Sequence, residues 1–222
     1  MAGLADLSDA AAIERLAARA VPSAEAVVRD GWLLRATPGV ARRRSNSALP
    51  LPAAAHDAGV VAAFYRERGL VPIVQVSPLE LHGPLDAALA AAGWRAHAPT
   101  DVLVADAAAV AAAATAAPGV AVTLDDGAPG RATATLDGRP AGSGAAVAAG
   151  GWSGLFELET EPGLRRRGVA RTLVGALARW SLAGGSDRLY LQVTAANGPA
   201  QALYQALGFT RSHGYHYRVA LT

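Results

Sequence analysis

Cysteine is absent from this 222-residue chain, and so is lysine: all 20 basic residues are arginine. The first absence removes disulfides, thiolate metal ligands and a cysteine nucleophile, and it fits a reducing, cytoplasmic compartment. A zinc site would need histidine and carboxylate alone, and no metal is expected. Aromatic residues are scarce at 5% although 52% of the chain is hydrophobic, because alanine dominates the apolar fraction. That composition excludes intrinsic disorder. Long apolar runs are also missing. The longest extends from Ala107 to Ala117 and stops at Pro118-Gly119, short of the roughly 20 residues of a membrane-spanning helix. Asp6, Asp9, Glu14 and Arg15 deny the first residues the character of a secretory signal. Excess charge is lacking too, since 20 cations face 18 acids for a net +2. The sequence pI near 9.4 therefore overstates the basic character. Arginines cluster only at Arg42–Arg44 and Arg165–Arg167, a poor basis for general nucleic-acid binding.

What is present is an alternation of short helices and strands. Ser8 or Asp9 is placed to cap a helix running to Ala20, ended by Pro22. Gly31–Arg35 predicts a strand, and Val40–Leu49, after a Pro38-Gly39 turn, predicts a returning strand that carries Arg42 and Arg44 on one face. There they turn toward an anionic substrate or simply toward solvent. His56–Arg68 and Leu85–Ala92 predict helices, while Leu70–Val76 and Asp101–Ala105 predict strands. Val120–Leu124, Arg131–Leu136 and Ala141–Ala149 form three antiparallel strands with turns at Asp125-Asp126-Gly127 and Asp137-Gly138, the latter a strong hairpin signal. Leu155–Thr160, Leu189–Val193 and Tyr215–Leu221 are further strands, with helices from Gly168 or Val169 to Leu182 and from Pro199 to Leu207.

A degenerate repeat links the halves: Pro72–Val76 answers Leu189–Val193, and Leu89–Trp94 answers Tyr204–Phe209. Two related halves are expected, residues 1–110 and 111–222. The second carries the chemistry. After the strand Leu158-Glu159-Thr160, the spacing Arg165-x-x-Gly168-x-Ala170 opens a helix. Small residues there let main-chain N–H groups approach an anion, and Arg165, Arg166, Arg167 and Arg171 supply countercharge, so a pyrophosphate site is implied. Gly-Lys-Ser/Thr is missing, which excludes a Walker loop, and so is the Gly-x-Gly-x-x-Gly of dinucleotide folds. About thirty residues on, Asn197-Gly198-Pro199-Ala200 leads into Ala202-Leu203-Tyr204-Gln205-Ala206-Leu207-Gly208-Phe209.

Together these segments resemble the GNAT superfamily of acyl-CoA-dependent N-acetyltransferases, closely over Ala141–Phe209 and in outline elsewhere. The resemblance implies an α/β (α+β) fold, a twisted, mostly antiparallel mixed sheet flanked by helices, with acetyl-CoA as co-substrate. It implies that the main chain of Leu158, Glu159 and Thr160 lies along the pantetheine and acetyl group. The loop of Arg165, Arg166, Arg167, Gly168, Val169, Ala170 and Arg171 holds the pyrophosphate, Asn197 lies near the thiol, and Tyr204 is the general acid to the departing thiolate. The acceptor is a primary amine on a small molecule or peptide. Each role has a plainer alternative: Tyr204 as a packing residue, Asn197 as a helix cap. Gln192 stands where some relatives place a glutamate base. Glu159 is the preferred base through water, with Glu157, His213 and His216 open. In the first half Leu89 stands opposite Tyr204 and the loop glycine is missing, so that half is expected to be catalytically silent. A non-catalytic acyl-CoA sensor is the competing reading.

Overall fold

Alanine-rich helix α1 (Leu7–Ala20) buries Ala10, Ile13 and Ala17 along one stripe, the spacing of a single helical face. A computed structural model describes residues 7–52, 54–125 and 127–221 and divides them into two units. The first holds the chain up to Asp101, Thr194–Ala196 and the stretch from Ser212; the second holds Val102–Val193 and Asn197–Arg211.

In the first unit, β1 (Glu25–Arg29) and β2 (Trp32–Ala36) form an antiparallel hairpin. Asp30 and Gly31 turn it with φ of 45° and 79°, as a two-residue hairpin loop requires. The expected returning strand over Val40–Leu49 is corrected here. Arg43–Ser45 is a 3₁₀ turn, and only Leu49–Pro50 (β3) pairs with β2. The Pro38-Gly39 turn is present, with Gly39 at φ 83°, but it leads into the 3₁₀ turn rather than a strand, and β2 takes its hairpin partner upstream across Asp30-Gly31. Arg42 and Arg44 therefore share no strand face, and Arg44 donates to the Tyr215 hydroxyl at 3.5 Å. Helix α2 (Ala58–Arg66) starts on Asp57, whose carboxylate accepts from Gly59 N–H. Strand β4 (Ile73–Val76) and helix α3 (Gly83–Ala91) follow. Ser8 and Asp9 lie inside α1 rather than before it. Trp32, Phe64, Tyr65, Val74 and Leu89 form the core of this unit.

Strand β5 (Arg95–Asp106) leads to the second unit and helix α4 (Ala107–Ala113). Strands β6 (Val120–Asp125), β7 (Gly130–Leu136), β8 (Arg139–Ala149) and β9 (Trp152–Thr160) make an antiparallel meander. Asp126 of the first expected turn lies outside the described residues. Helix α5 (Val169–Ala183) covers one face, burying Leu173, Val174 and Leu177 against Ala132, Ala134 and Ala146. Strand β10 (Arg188–Thr194) joins parallel to β9. Helix α6 (Gly198–Ala206) and β11 (Thr210–Val219) complete the order, and β11 pairs antiparallel with β4. The result is the expected mixed sheet flanked by helices.

Helices α3 and α6 end alike. Trp94 N–H donates to Leu89 C=O at 3.0 Å, and Phe209 N–H donates to Tyr204 C=O at 3.0 Å. Gly93 and Gly208 adopt φ of 84° and 89°, the left-handed helix stop that glycine permits.

Candidate functional site

All the residues singled out in the Leu158–Arg171 segment, together with Asn197 and Tyr204, lie in the second unit. β9 supplies the first of them and carries an irregularity. Ser143 of β8 pairs with Glu159, but Ala145 pairs with Phe156. Glu157 and Leu158 thus stand opposite Gly144 alone, a β-bulge centred on Glu157 with φ of 51°. A bulge breaks plain alternation and re-aims side chains. Leu158 turns toward α5, since a Cβ on Gly144 would meet Leu158 Cδ2 at 2.7 Å and Leu177 Cδ1 at 3.2 Å. Glu157 and Glu159 are exposed. The Glu157 carboxylate lies 3.6 Å from Arg131 of β7, so the second expected candidate base is held by a cation.

Beside the bulge, the two parallel strands part. Their ladder ends at Leu155↔Leu191, while β9 runs on to Thr160 and β10 to Thr194. The β9 main chain beyond Leu155 is thereby released from β10, leaving an open seam next to the bulge.

The loop after β9 passes through a 3₁₀ turn at Pro162–Leu164, then Arg166 at φ 61° and Gly168 at φ 81°. Gly168 is the cap of α5 and offers no side chain to the first-turn N–H groups. Those donors and the positive end of the helix dipole face outward. A Cβ at Gly168 would collide with Ala117 Cβ, so crowding and a positive φ both demand glycine. Thr172 fastens this end: its hydroxyl donates to Gly168 C=O and accepts from Ala117 N–H, each at 3.0 Å. Arg165, Arg166 and Arg167 are exposed, and Val169 is buried. Arg167 lies 3.9 Å from Asp137, and Arg171 donates to Ala113 C=O at 3.2 Å. The uncapped helix start, the glycine cradle and the surrounding guanidinium groups fit a diphosphate.

Asn197 caps α6, its side-chain oxygen accepting from Ala200 N–H at 3.3 Å. Tyr204 is 8% exposed, with its ring 5.8 Å from Phe209. Burial raises its phenol above the usual value of 10, with no neighbouring charge contributing. A buried phenol stays protonated at neutral pH and keeps a proton to give.

The two histidines considered as bases belong to the first unit and are engaged there. His213 is fully buried, 2.9 Å from Glu14 through Nε2, and Glu14 also accepts from Gln75 at 2.8 Å. His216 Nε2 contacts Asp86 at 2.6 Å, and Arg218 holds the same carboxylate through Nε at 2.7 Å and Nη2 at 2.8 Å. Arg218 first, and then His216, hold the Asp86 carboxyl below its ordinary range. Among the described residues no group of three or more His, Asp or Glu is placed to hold a metal ion. No helix among them is long and apolar enough to cross a membrane.

Sequence reasoning missed the bulge, the parting of β9 from β10, the Arg131 partner of Glu157 and the Thr172 brace. Only Thr172 left a signal, as a hydroxyl in the first turn of α5, whose other hydroxyl is Ser181.

A seam beside a bulge, next to an uncapped helix with a glycine cap, sits on a fold shared with known acetyltransferases. A GCN5-related N-acetyltransferase from Kribbella flavida superposes with a TM-score of 0.76 at 16% identity, over 96% of each chain. A tandem GNAT protein from the clavulanic acid biosynthesis pathway superposes with a TM-score of 0.66 at 14% identity, over 94% of this chain and 87% of that one. The fold is that of the GCN5-related N-acetyltransferases, as the resemblance implied. The family described as "Probable histone acetyltransferase Rv0428c C-terminal" matches residues 7–218, and the chain belongs to it. An N-acetyltransferase of Bacillus subtilis, YobR, is 30% identical over 69 residues, which make up 31% of this chain and 28% of that protein. The chain thus aligns with less than a third of that relative's length.

Proposed function

We propose that the chain moves an acetyl group from acetyl-CoA to a primary amine by direct attack in a ternary complex. The observation that carries this reading is the seam after Leu155↔Leu191, opened beside the uncapped start of α5. Acetyl-CoA supplies the acetyl thioester. The released main chain of Leu158, Glu159 and Thr160 binds its arm as a strand would, through N–H and C=O groups no longer given to β10. First-turn N–H groups of Val169, Ala170 and Arg171 bind the diphosphate, with Arg165, Arg166 and Arg167 around it and Gly168 making room. Asn197 touches the thiol end with the side chain that also caps α6.

Glu159 takes the proton of the attacking amine through water. As the nitrogen–carbon bond forms and the carbon–sulfur bond breaks, Tyr204 gives its phenol proton to sulfur. Residues 1–110 are a degenerate, catalytically silent copy, with Leu89 where the active copy has Tyr204.

Calorimetry of the folded chain with acetyl-CoA is expected to show saturable association; none at millimolar concentration overturns the reading. Replacing Tyr204 by Phe is expected to lower amine-dependent thiol release by about a hundredfold or more while acetyl-CoA still binds. Unchanged thiol release in Tyr204→Phe would remove the general acid from the mechanism. Binding with no thiol release for any amine would favour a non-catalytic acyl-CoA sensor.

A further inference from the structure

The three-stranded sheet of the first unit stops at β1. Its order is β1-β2-β3, and among the described residues no strand pairs with the outer side of β1. The edge reads Glu25-Ala26-Val27-Val28-Arg29, an acid at one end, a cation at the other and only apolar residues between. Val28 is more exposed than any other large hydrophobic residue described.

The hairpin decides which main-chain groups face outward. Asp30 and Gly31 make a two-residue loop with positive φ at both positions, and such a loop is closed by a pair that exchanges both of its hydrogen bonds. Arg29 and Trp32 are that pair. Bonding alternates along the unbroken register, so Val27 and Glu25 also bond to β2. Ala26 and Val28 lie between them, and their N–H and C=O groups point away from β2 to the open edge.

Only one antiparallel register of two such edges uses all of these groups. It is centred on Val27 and sets Ala26 against the Val28 of a second copy, and Val28 against its Ala26, each pair exchanging both main-chain bonds. The same register sets Glu25 opposite the second copy's Arg29 on each side of the two-fold axis. Those are non-hydrogen-bonded positions, where side chains approach most closely. A slip by two residues gives up both charge pairs. Arg29 is exposed and, among the described residues, forms no ion pair. Arg68 holds the Glu25 carboxylate through Nε and Nη2, each at 2.7 Å, and two of the roughly four acceptor sites of a carboxylate stay open. Charges on an edge commonly repel a second copy; here their order attracts one.

We infer that β1 is a self-association edge, along which two copies of the chain pair antiparallel across Val27 and join their three-stranded sheets. The contact is short, at the small end of specific interfaces, so the dimer forms and parts with concentration.

Sedimentation equilibrium of the full chain is expected to show a monomer–dimer equilibrium. Val28→Pro removes an outward N–H and spares the bonds to β2, a placement that suits proline on an edge strand. Arg29→Glu sets carboxylate against carboxylate. Each is expected to raise the dimer dissociation constant about tenfold or more, with the thermal unfolding of the monomer unchanged. The chain has no cysteine, so Val27→Cys introduces a lone thiol at the axis, where paired Cα atoms are within disulfide reach. Val28→Cys puts its two Cα atoms beyond the limit of about 7 Å. Mild oxidation is expected to trap Val27→Cys as a covalent dimer and to leave Val28→Cys monomeric. A dimer unmoved by Val28→Pro and Arg29→Glu, or equal trapping of the two cysteine variants, overturns the inference. So does a wild-type chain that stays monomeric up to about 1 mM, which would leave the edge to an extended peptide of another protein.

Discussion

Gly168 carries two loads on one residue. Its φ of 81° is the left-handed conformation that ends the loop, and the space where a Cβ would sit is filled by Ala117. Gly168→Ala is therefore expected to lower stability by about 1–3 kcal/mol in urea denaturation. It should weaken acetyl-CoA association in calorimetry as well, because relief of the clash moves the first turn of α5. An alanine variant with wild-type affinity would detach the helix start from cofactor binding. The glycine was visible in the sequence through its spacing from Arg165. The reason that nothing larger fits was not, because Ala117 lies 51 residues upstream and only packing brings the two together.

At the scale of elements, what the sequence made legible is what local chemistry determines. The meander β6 to β9 was readable because alternating residues and the Asp137-Gly138 turn agree, and α5 was readable because a glycine precedes a long apolar stripe. The β1–β2 hairpin was misplaced, since Val28 of β1 is 69% exposed and its strand lacks a clear buried face. The bulge at Glu157 was illegible. A register shift is a property of two strands, and only the partner β8 reveals it. Asn197 shows how one element can serve two ends. Asn197→Ala is expected to destabilise the chain by about 1 kcal/mol through loss of the α6 cap, followed by thermal unfolding. Asn197→Asp keeps the capping oxygen, so a loss of acetyl-CoA affinity in that variant at unchanged melting temperature would assign the amide a contact of its own.

At the scale of the whole molecule, the first unit is closed by residues far apart in the chain. Glu14 and His213 meet across 199 positions with side chains 3% and 0% exposed. Gln75 extends the contact to Arg35, donating to Glu14 and accepting from the guanidinium at 2.8 Å. Burial pushes the Arg35 guanidinium below its ordinary value, with Glu14 among the groups that pull it back up. Removing one partner of such a buried pair strands the other in a dry interior. Glu14→Ala is accordingly expected to cost about 3–5 kcal/mol in equilibrium urea unfolding, and a loss under 1 kcal/mol or so would mean that water reaches His213. None of this was legible in the sequence, where His213 is an isolated histidine and Glu14 one acid in a helix.

The first unit takes both its α1 and its β4 partner from opposite ends of the described chain, with the second unit's residues between them. During vectorial synthesis the earlier-made part of the first unit thus finishes assembling only after Ser212 and its followers leave the ribosome. The strands of the second unit from β6 to β10 all precede Ser212, so that unit can pair them before the first unit closes.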